Sequence, residues 1–279
     1  MIYLKTPDSV KIAVLRYNSL LKPEESQVLI INSATGVNQK FYKNYAKFLT
    51  TYGYNVITYD YRGVAASRPK KLRGFKANLT DWGGKDFPEI INYCRKNFPN
   101  QKLHVFGHSI GGTLPGFTEM NKVIDNLVTI GSQTAYYKDW SPSDQKKLYF
   151  LWHLIFPFIS NIIGYFPGKF LKQSEDLPKG VVNQWHSRRL TENMEKQLNA
   201  LGHETYFNKI EVNITTVYIT DDSIGTKKAL NRLIKLYSNA KHNFVELSPE
   251  SIKVEEIGHF GFFSRKFKKT LWKQSLNWF

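Results

Sequence analysis

One cysteine, Cys94, stands among the 279 residues, so no disulfide can form within the chain and no thiolate cluster can hold zinc or an iron–sulfur centre. Histidines number seven, and none lies in an H-E-x-x-H arrangement. His104 and His108 are four apart, but on a strand and the turn after it, where their rings cannot converge on an ion. No metal is expected. The glycines at Gly36, Gly63, Gly111 and Gly112 lack the G-x-G-x-x-G spacing that a dinucleotide needs, and no cofactor is expected either. No uninterrupted apolar run reaches the ~18 residues of a membrane-spanning helix. The opening residues, Met1-Ile2-Tyr3-Leu4-Lys5-Thr6-Pro7-Asp8, lack the charged-then-apolar pattern of a secretory signal. With a single cysteine, this makes a reducing, cytoplasmic location the expectation.

Acidic residues are also in short supply. Asp and Glu number 23 against 39 Lys and Arg, a formal charge of +16. The cations are spread along the chain among Asn, Tyr and Ile and form no recognisable nucleic-acid module, so no nucleic-acid partner is expected from them. What is plentiful is core-forming material. At 42% hydrophobic and 15% aromatic content the chain can bury a full core, most simply as one domain carrying an insertion.

Strand and helix alternate through the first half. Ile2 to Leu4 and Lys11 to Tyr17 read as strands around the Pro7-Asp8-Ser9 turn, and Val28-Leu29-Ile30-Ile31-Asn32 as a central strand buried on both faces. A helix with Phe41, Tyr45, Phe48, Leu49 and Tyr52 at helical spacing closes at Gly53, and Asn55 to Asp60 is the next strand. The stretch from Tyr61 to Asn78 reads as loop, Asp81 to Phe98 as helix, Leu103 to Phe106 as strand, Thr113 to Met120 as helix and Asn126 to Gly131 as strand. This alternation predicts a doubly wound, mostly parallel α/β sheet whose ligand site lies at the carboxyl ends of the strands.

The alternation stops between residues 132 and 209, a stretch that contains Trp140, Trp152 and Trp185. Its clearest segment places Leu148, Leu151, Trp152, Ile155, Phe156 and Ile159 at helical spacing, with Tyr149, Phe150, Leu154 and Phe158 making the opposite face apolar too. We read it as an inserted helical lid, with Trp152, Phe156 and Ile159 as the side chains expected to line a substrate pocket. The core domain is then 1–131 with 210–279, and the lid 132–209. Beyond the lid, Asn213 to Thr220 and Asn243 to Leu247 resume as strands around a helix from Thr226 to Tyr237. A final helix sets Phe263, Phe267, Leu271 and Leu276 against Arg265, Lys266, Lys268, Lys269 and Lys273, a solvated basic face rather than a membrane one.

At the centre stands Gly107-His108-Ser109-Ile110-Gly111-Gly112, between a strand and a helix-prone segment. A G-x-S-x-G pattern this short recurs by chance; the strand–turn–helix context is what makes it a candidate nucleophile elbow. So tight a turn leaves no room for side chains two residues on either side, and it would aim the Ile110 amide at an oxyanion forming on an acyl carbon. A serine hydroxyl needs an imidazole to take its proton, and the imidazole needs a carboxylate to fix its tautomer. Asp222, just past a late strand, and His259, in the Gly258-His259-Phe260-Gly261 loop, supply them in the order Ser, Asp, His.

These residues carry a resemblance. With Asp60-Tyr61-Arg62-Gly63, Asp81-Trp82-Gly83, Leu151-Trp152-His153, Gly164-Tyr165-Phe166-Pro167-Gly168 and Glu175-Asp176-Leu177-Pro178, the chain resembles the α/β hydrolases of the serine-aminopeptidase and monoacylglycerol-lipase-like branch, along nearly its whole length. The resemblance implies the α/β-hydrolase fold with its lid, and a serine hydrolase working through an acyl-enzyme on a small-molecule ester or amide. A carboxylic ester with an apolar acyl group is the expected substrate. Where the branch has His-Gly after its third strand this chain has Ser33-Ala34, so the second oxyanion amide falls to Thr35, with Gly36 as the alternative. Where the branch has a proline four residues after its acid this chain has Thr226, which selects Asp222 over Asp221. An aminopeptidase or amidase would need a carboxylate to bind a free amine, and Glu175 and Asp176 are the candidates. A non-catalytic binding module of the same fold, and a peripheral membrane protein resting on its apolar lid and basic final helix, are the readings from other classes. Nothing in the sequence sets the oligomeric state.

Overall fold

Ten strands carry the architecture in the computed structural model, which describes all 279 residues. They are β1 (Ile2–Lys5), β2 (Lys11–Tyr17), β3 (Gln27–Asn32), β4 (Tyr54–Tyr59), β5 (Leu103–His108), β6 (Asn126–Ile130), β7 (Tyr165–Phe166), β8 (Leu177–Pro178), β9 (Asn213–Ile219) and β10 (Lys241–Leu247). Eight form one sheet in the order β1-β2-β4-β3-β5-β6-β9-β10; β7 and β8 pair separately. β1 and β2 run antiparallel to their neighbours, and every pairing from β4 through β10 is parallel. The apolar runs of β3, β4 and β5 explain their central places, since parallel strands are buried on both faces. Alternate residues then feed two cores. Val28, Ile30 and Val105 face one, Leu29, Ile31 and Phe106 the other. Each fully buried side chain of this size contributes about 1.5–3 kcal/mol.

The first core is covered by the helix Phe87–Asn97, through Phe87, Ile90, Ile91 and Cys94. The second is covered by the helix Lys43–Thr50, through Tyr45, Phe48 and Leu49, and by the C-terminal segment through Phe262, Phe263, Phe267 and Trp272. A mostly parallel sheet covered on both faces is the doubly wound architecture.

Two elements differ from the sequence expectation. The segment after Ser109 is not an α-helix but a series of 3₁₀ turns, Ser109–Gly112, Leu114–Phe117 and Glu119–Val123. Pro115 lacks the amide that an α-helix would use there. A Cβ on Gly116 would come within 2.1 Å of the Phe207 ring, so the backbone is held close by tertiary packing. The final helix is likewise broken into Arg265–Phe267, Leu271–Ser275 and Leu276–Trp278, and the loop before it that bears His259 contains the single helical turn Gly258–Gly261. Its expected faces persist, with Phe263, Phe267 and Leu271 buried and Arg265, Lys266, Lys268, Lys269 and Lys273 exposed.

Between β6 and β9 no residue joins the main sheet. The helices Pro142–Phe150 and Phe156–Ile163 are joined through a π turn, Leu151–Ile155, into one rod, followed by the β7–β8 hairpin and the helices Lys179–Ser187 and Met194–Ala200. This insertion touches the loops that leave β3 and β4. A Cβ on Gly36 would meet Ser174 at 2.8 Å, one on Gly63 would meet Pro178 at 2.4 Å, and Arg68 pairs with Asp176 at 2.8 Å. The insertion therefore stands over the carboxyl ends of those strands. No helix is long and apolar enough to cross a membrane.

Candidate active site

β5 ends at His108, and Ser109 follows with φ +53°, in the left-handed region that a non-glycine residue adopts only under constraint. The constraint is visible on both sides. A Cβ on Gly107 would lie 2.4 Å from Gly112 Cα, and one on Gly111 would lie 2.2 Å from the Asn32 carbonyl oxygen. The turn begins a 3₁₀ segment at Ser109, so the Ile110 amide stands in a first turn whose donors lack partners within the helix.

Asp222 and His259 come from loops that leave β9 and β10. The His259 ring Nδ1 donates to Asp222 Oδ2 at 2.7 Å, and Asp222 Oδ1 accepts from the amides of Ile224 and Gly225, both at 2.8 Å. Burial raises the Asp222 carboxyl, but the His259 charge and hydrogen bond, with the two amides, outweigh it and hold the group below its ordinary value. It is a carboxylate at neutral pH. With Nδ1 committed to Asp222, the second ring nitrogen, Nε2, is left with its lone pair. Gly131, at φ +57°, closes the corner: a Cβ there would sit 2.8 Å from Asp222 Oδ2 and 3.0 Å from the His259 ring. Asp221 turns elsewhere, accepting from the amides of Ile257 and Gly258 at 2.9 and 3.0 Å and so fastening the loop that leads into His259.

Ser109 and His259 line one cavity of 40 Å³, without a direct hydrogen bond between them. Thr35 lines it too. Gly36 does not, because its carbonyl accepts from the Glu175 amide at 2.8 Å on the side of the insertion. The remaining wall is mostly apolar, and Trp140, Leu148, Trp152 and Trp185 of the insertion make most of it. Of the three side chains expected there from the sequence, only Trp152 reaches the cavity. Phe156 packs on Phe166 at 4.2 Å between ring centres inside the insertion, and Ile159 lies outside the lining. Phe156 stays beside Trp152, their ring centres 4.9 Å apart, but its ring is taken up by Phe166 rather than by the cavity. Trp140 and Trp185 were missed as lining residues; the concentration of three tryptophans in the insertion was the available signal.

Glu175 and Asp176 do not reach the cavity. Glu175 pairs with Lys169 at 2.8 Å and Asp176 with Arg68 at the same distance. Asp60 serves its own loop, accepting from the Gln39 amide at 2.8 Å and the Ala66 amide at 3.1 Å.

Behind the site runs a buried chain of hydrogen bonds. The Ala34 amide donates to the Tyr42 hydroxyl at 2.8 Å, that hydroxyl donates to His108 Nδ1 at 2.9 Å, and His108 Nε2 donates to the His259 carbonyl at 2.9 Å. The last acceptor has no proton to give, which fixes the tautomer of His108. Burial pushes this imidazole down to about 3, so it stays neutral and keeps both of its bonds. The loop bearing Thr35 and the loop bearing His259 are thereby tied to one ring at the foot of the Ser109 turn.

The matches to known proteins agree with this architecture. A family described as alpha/beta hydrolase fold matches residues 27–264. Similar solved structures include a lipase-esterase related protein from Clostridium acetobutylicum, with TM-score 0.59, 14% identity and coverage of 96% of this chain and 99% of that one. An esterase from Exiguobacterium antarcticum matches with TM-score 0.57, 16% identity and coverage of 99% and 98%. The enol-lactonase of Burkholderia xenovorans matches with TM-score 0.61, 12% identity and coverage of 99% of both chains. No curated protein matches the sequence. Identities this low speak for the fold alone, but the family match spans most of the sheet and the insertion together: the chain belongs to the α/β hydrolase fold family.

Proposed function

We propose that the protein is a serine hydrolase that cleaves a carboxylic ester with an apolar acyl group through an acyl-enzyme. The observation that carries this reading is the convergence on one cavity of the strained Ser109 turn and the Asp222-bound His259 ring. In the mechanism, Ser109 Oγ attacks the ester carbon as His259 Nε2 takes its proton. Asp222 holds the ring in the tautomer that exposes Nε2 and stabilises the imidazolium. The amides of Ile110 and Thr35 receive the oxyanion, the alcohol leaves with the proton from His259, and water repeats the sequence to release the acid.

Ester is favoured over aminoacyl amide by the surroundings. The two carboxylates available to bind a free amine are engaged by Lys169 and Arg68, away from the cavity. Esterases and a lactonase among the structural neighbours point the same way. The three tryptophans of the insertion fit an apolar acyl group.

A fluorophosphonate probe should label wild-type protein at Ser109 and leave Ser109→Ala unlabelled, with mass spectrometry of the peptide identifying the residue. Labelling that persists in the variant, or lands on another side chain, would sink the assignment.

The Tyr42–His108 chain gives a subtler expectation. His108→Phe keeps the ring volume but cuts the bond to the His259 carbonyl, so kcat on a soluble ester should fall about tenfold while KM changes little, the effect of losing roughly one buried hydrogen bond from the transition-state geometry. A fall confined to KM would argue for a role in binding instead.

A further inference from the structure

The rod formed by residues 142–163 has two apolar sides. One meets the cavity through Leu148 and Trp152. The other carries Phe150, Leu154, Phe158 and Ile162, four residues apart, with 54, 45, 66 and 61% of their surface open to solvent. Between Leu148 and Ser160 the exposed side chains are Phe150, Leu154 and Phe158, without a polar one among them. From Leu148 to Gly168 no residue carries a charge. Single exposed hydrophobes are ordinary; a row of four, with Asn161 beside Ile162 the one exposed polar side chain along it, marks an interaction surface.

Cations stand at both ends of the row. Lys146 and Lys147 are exposed just before it. At the other end the exposed Arg73 donates to the Ile162 carbonyl at 3.2 Å, and the exposed Lys172 follows the hairpin strand β7. Of the acids nearby, Asp139 pairs with Arg232, Glu175 with Lys169 and Asp176 with Arg68, while Asp144, two residues before Lys146 on the rod, has no ion pair and leaves the two lysines in excess over it. The occupant must therefore offer apolar matter in the middle and negative charge around it. A second copy of the chain does the opposite, setting Lys146, Lys147 and Arg73 against the like charges of another protein of net charge +16. A bilayer with anionic headgroups supplies both requirements, because apolar side chains enter the headgroup–acyl boundary while lysines and arginines remain among the phosphates.

We propose that the outer face of this rod, Phe150, Leu154, Phe158 and Ile162 between Lys146 and Arg73, docks the protein peripherally on an anionic lipid surface. The docking does not depend on hydrolysis, and its test is made in a Ser109→Ala background so that the lipid stays intact. Flotation with vesicles of phosphatidylglycerol and phosphatidylcholine in equal parts should carry the protein upward at low salt, and far less with phosphatidylcholine alone or at high salt. Phe150→Ser with Phe158→Ser should lower the partition at least about tenfold. The same two substitutions in the Ser109-containing chain should leave turnover of a water-soluble short ester unchanged, which reports an intact fold; Phe158→Ser alone serves if the pair is unstable. No flotation, flotation that the substitutions leave unchanged, or flotation independent of anionic lipid would overturn the proposal. So would a concentration-dependent dimer, seen by light scattering without vesicles, that the same substitutions dissolve.

Discussion

Asp222→Asn is expected to lower kcat on a soluble ester about 10⁴-fold, whereas Asp221→Asn next to it should cost less than about tenfold. The two carboxylates differ in what they touch. Asp222 accepts the Nδ1 proton of His259 at 2.7 Å, and an asparagine amide turned toward that nitrogen offers a proton instead, favouring the tautomer that puts hydrogen on Nε2, where Ser109 needs a lone pair. Asp221 accepts only from backbone amides, those of Ile257 and Gly258 at 2.9 and 3.0 Å, and an asparagine oxygen can still accept from one of them. Steady-state kinetics of both variants, with thermal melts to confirm that each folds, would decide the matter. Comparable losses would mean that fastening the His259 loop matters as much as orienting its ring, and a larger loss at Asp221 would exchange the two roles.

The spacing to Thr226 points to Asp222 by resemblance, and in the structure the amides of Ile224 and Gly225 fold back onto Asp222 Oδ1, each at 2.8 Å, in the turn before the helix Lys227–Ile234. The sheet was legible for a similarly local reason. The β-branched and aliphatic run Val28 to Ile31 suits only a strand buried on both faces, and the glycines around Ser109 stand where any Cβ would meet backbone. What local pattern could not reach was decided by contacts far along the chain. Phe207 presses on Gly116 and denies an α-helix after the Ser109 turn. Phe156 is drawn from the cavity by Phe166 on the β7–β8 hairpin, a contact that no helical wheel would show. Trp140 and Trp185 lie on different segments, 45 residues apart by subtraction of their numbers, and only the folded insertion brings both to the cavity that Ser109 lines. The bond from His108 to the His259 carbonyl spans more of the chain than any periodicity can report.

Buried histidines set the last expectation, a steep loss of stability on mild acidification. Burial pushes His104 down from its ordinary 6.5 to about 4, His108 to about 3 and His153 to about 4. His104 donates to Gln27 Oε1 through Nε2 and accepts from the Asn126 amide through Nδ1, and His108 is equally committed as a neutral ring. His153 is buried against the Trp140 ring, 5.6 Å away and nearly parallel, with no partner for either nitrogen. The unfolded chain takes up these protons as pH falls through about 6.5 while the native state refuses them, so the unfolded state binds more protons and stability must fall with pH. Each such histidine contributes about 1.4 kcal/mol per pH unit between roughly pH 6 and pH 4, and Asp86, which burial pushes up to about 7, offsets one of the three because the folded state takes its proton first. Urea denaturation at pH 7, 6 and 5 would measure the slope directly. His104→Gln and His153→Phe should each lower it by about 1.4 kcal/mol per pH unit, since each deletes one proton from the unfolded state's advantage. A stability unchanged from pH 7 to pH 5 would mean that the folded protein accepts these protons after all, and that the rings are less enclosed than their packing against Gln27, Tyr42 and Trp140 makes them.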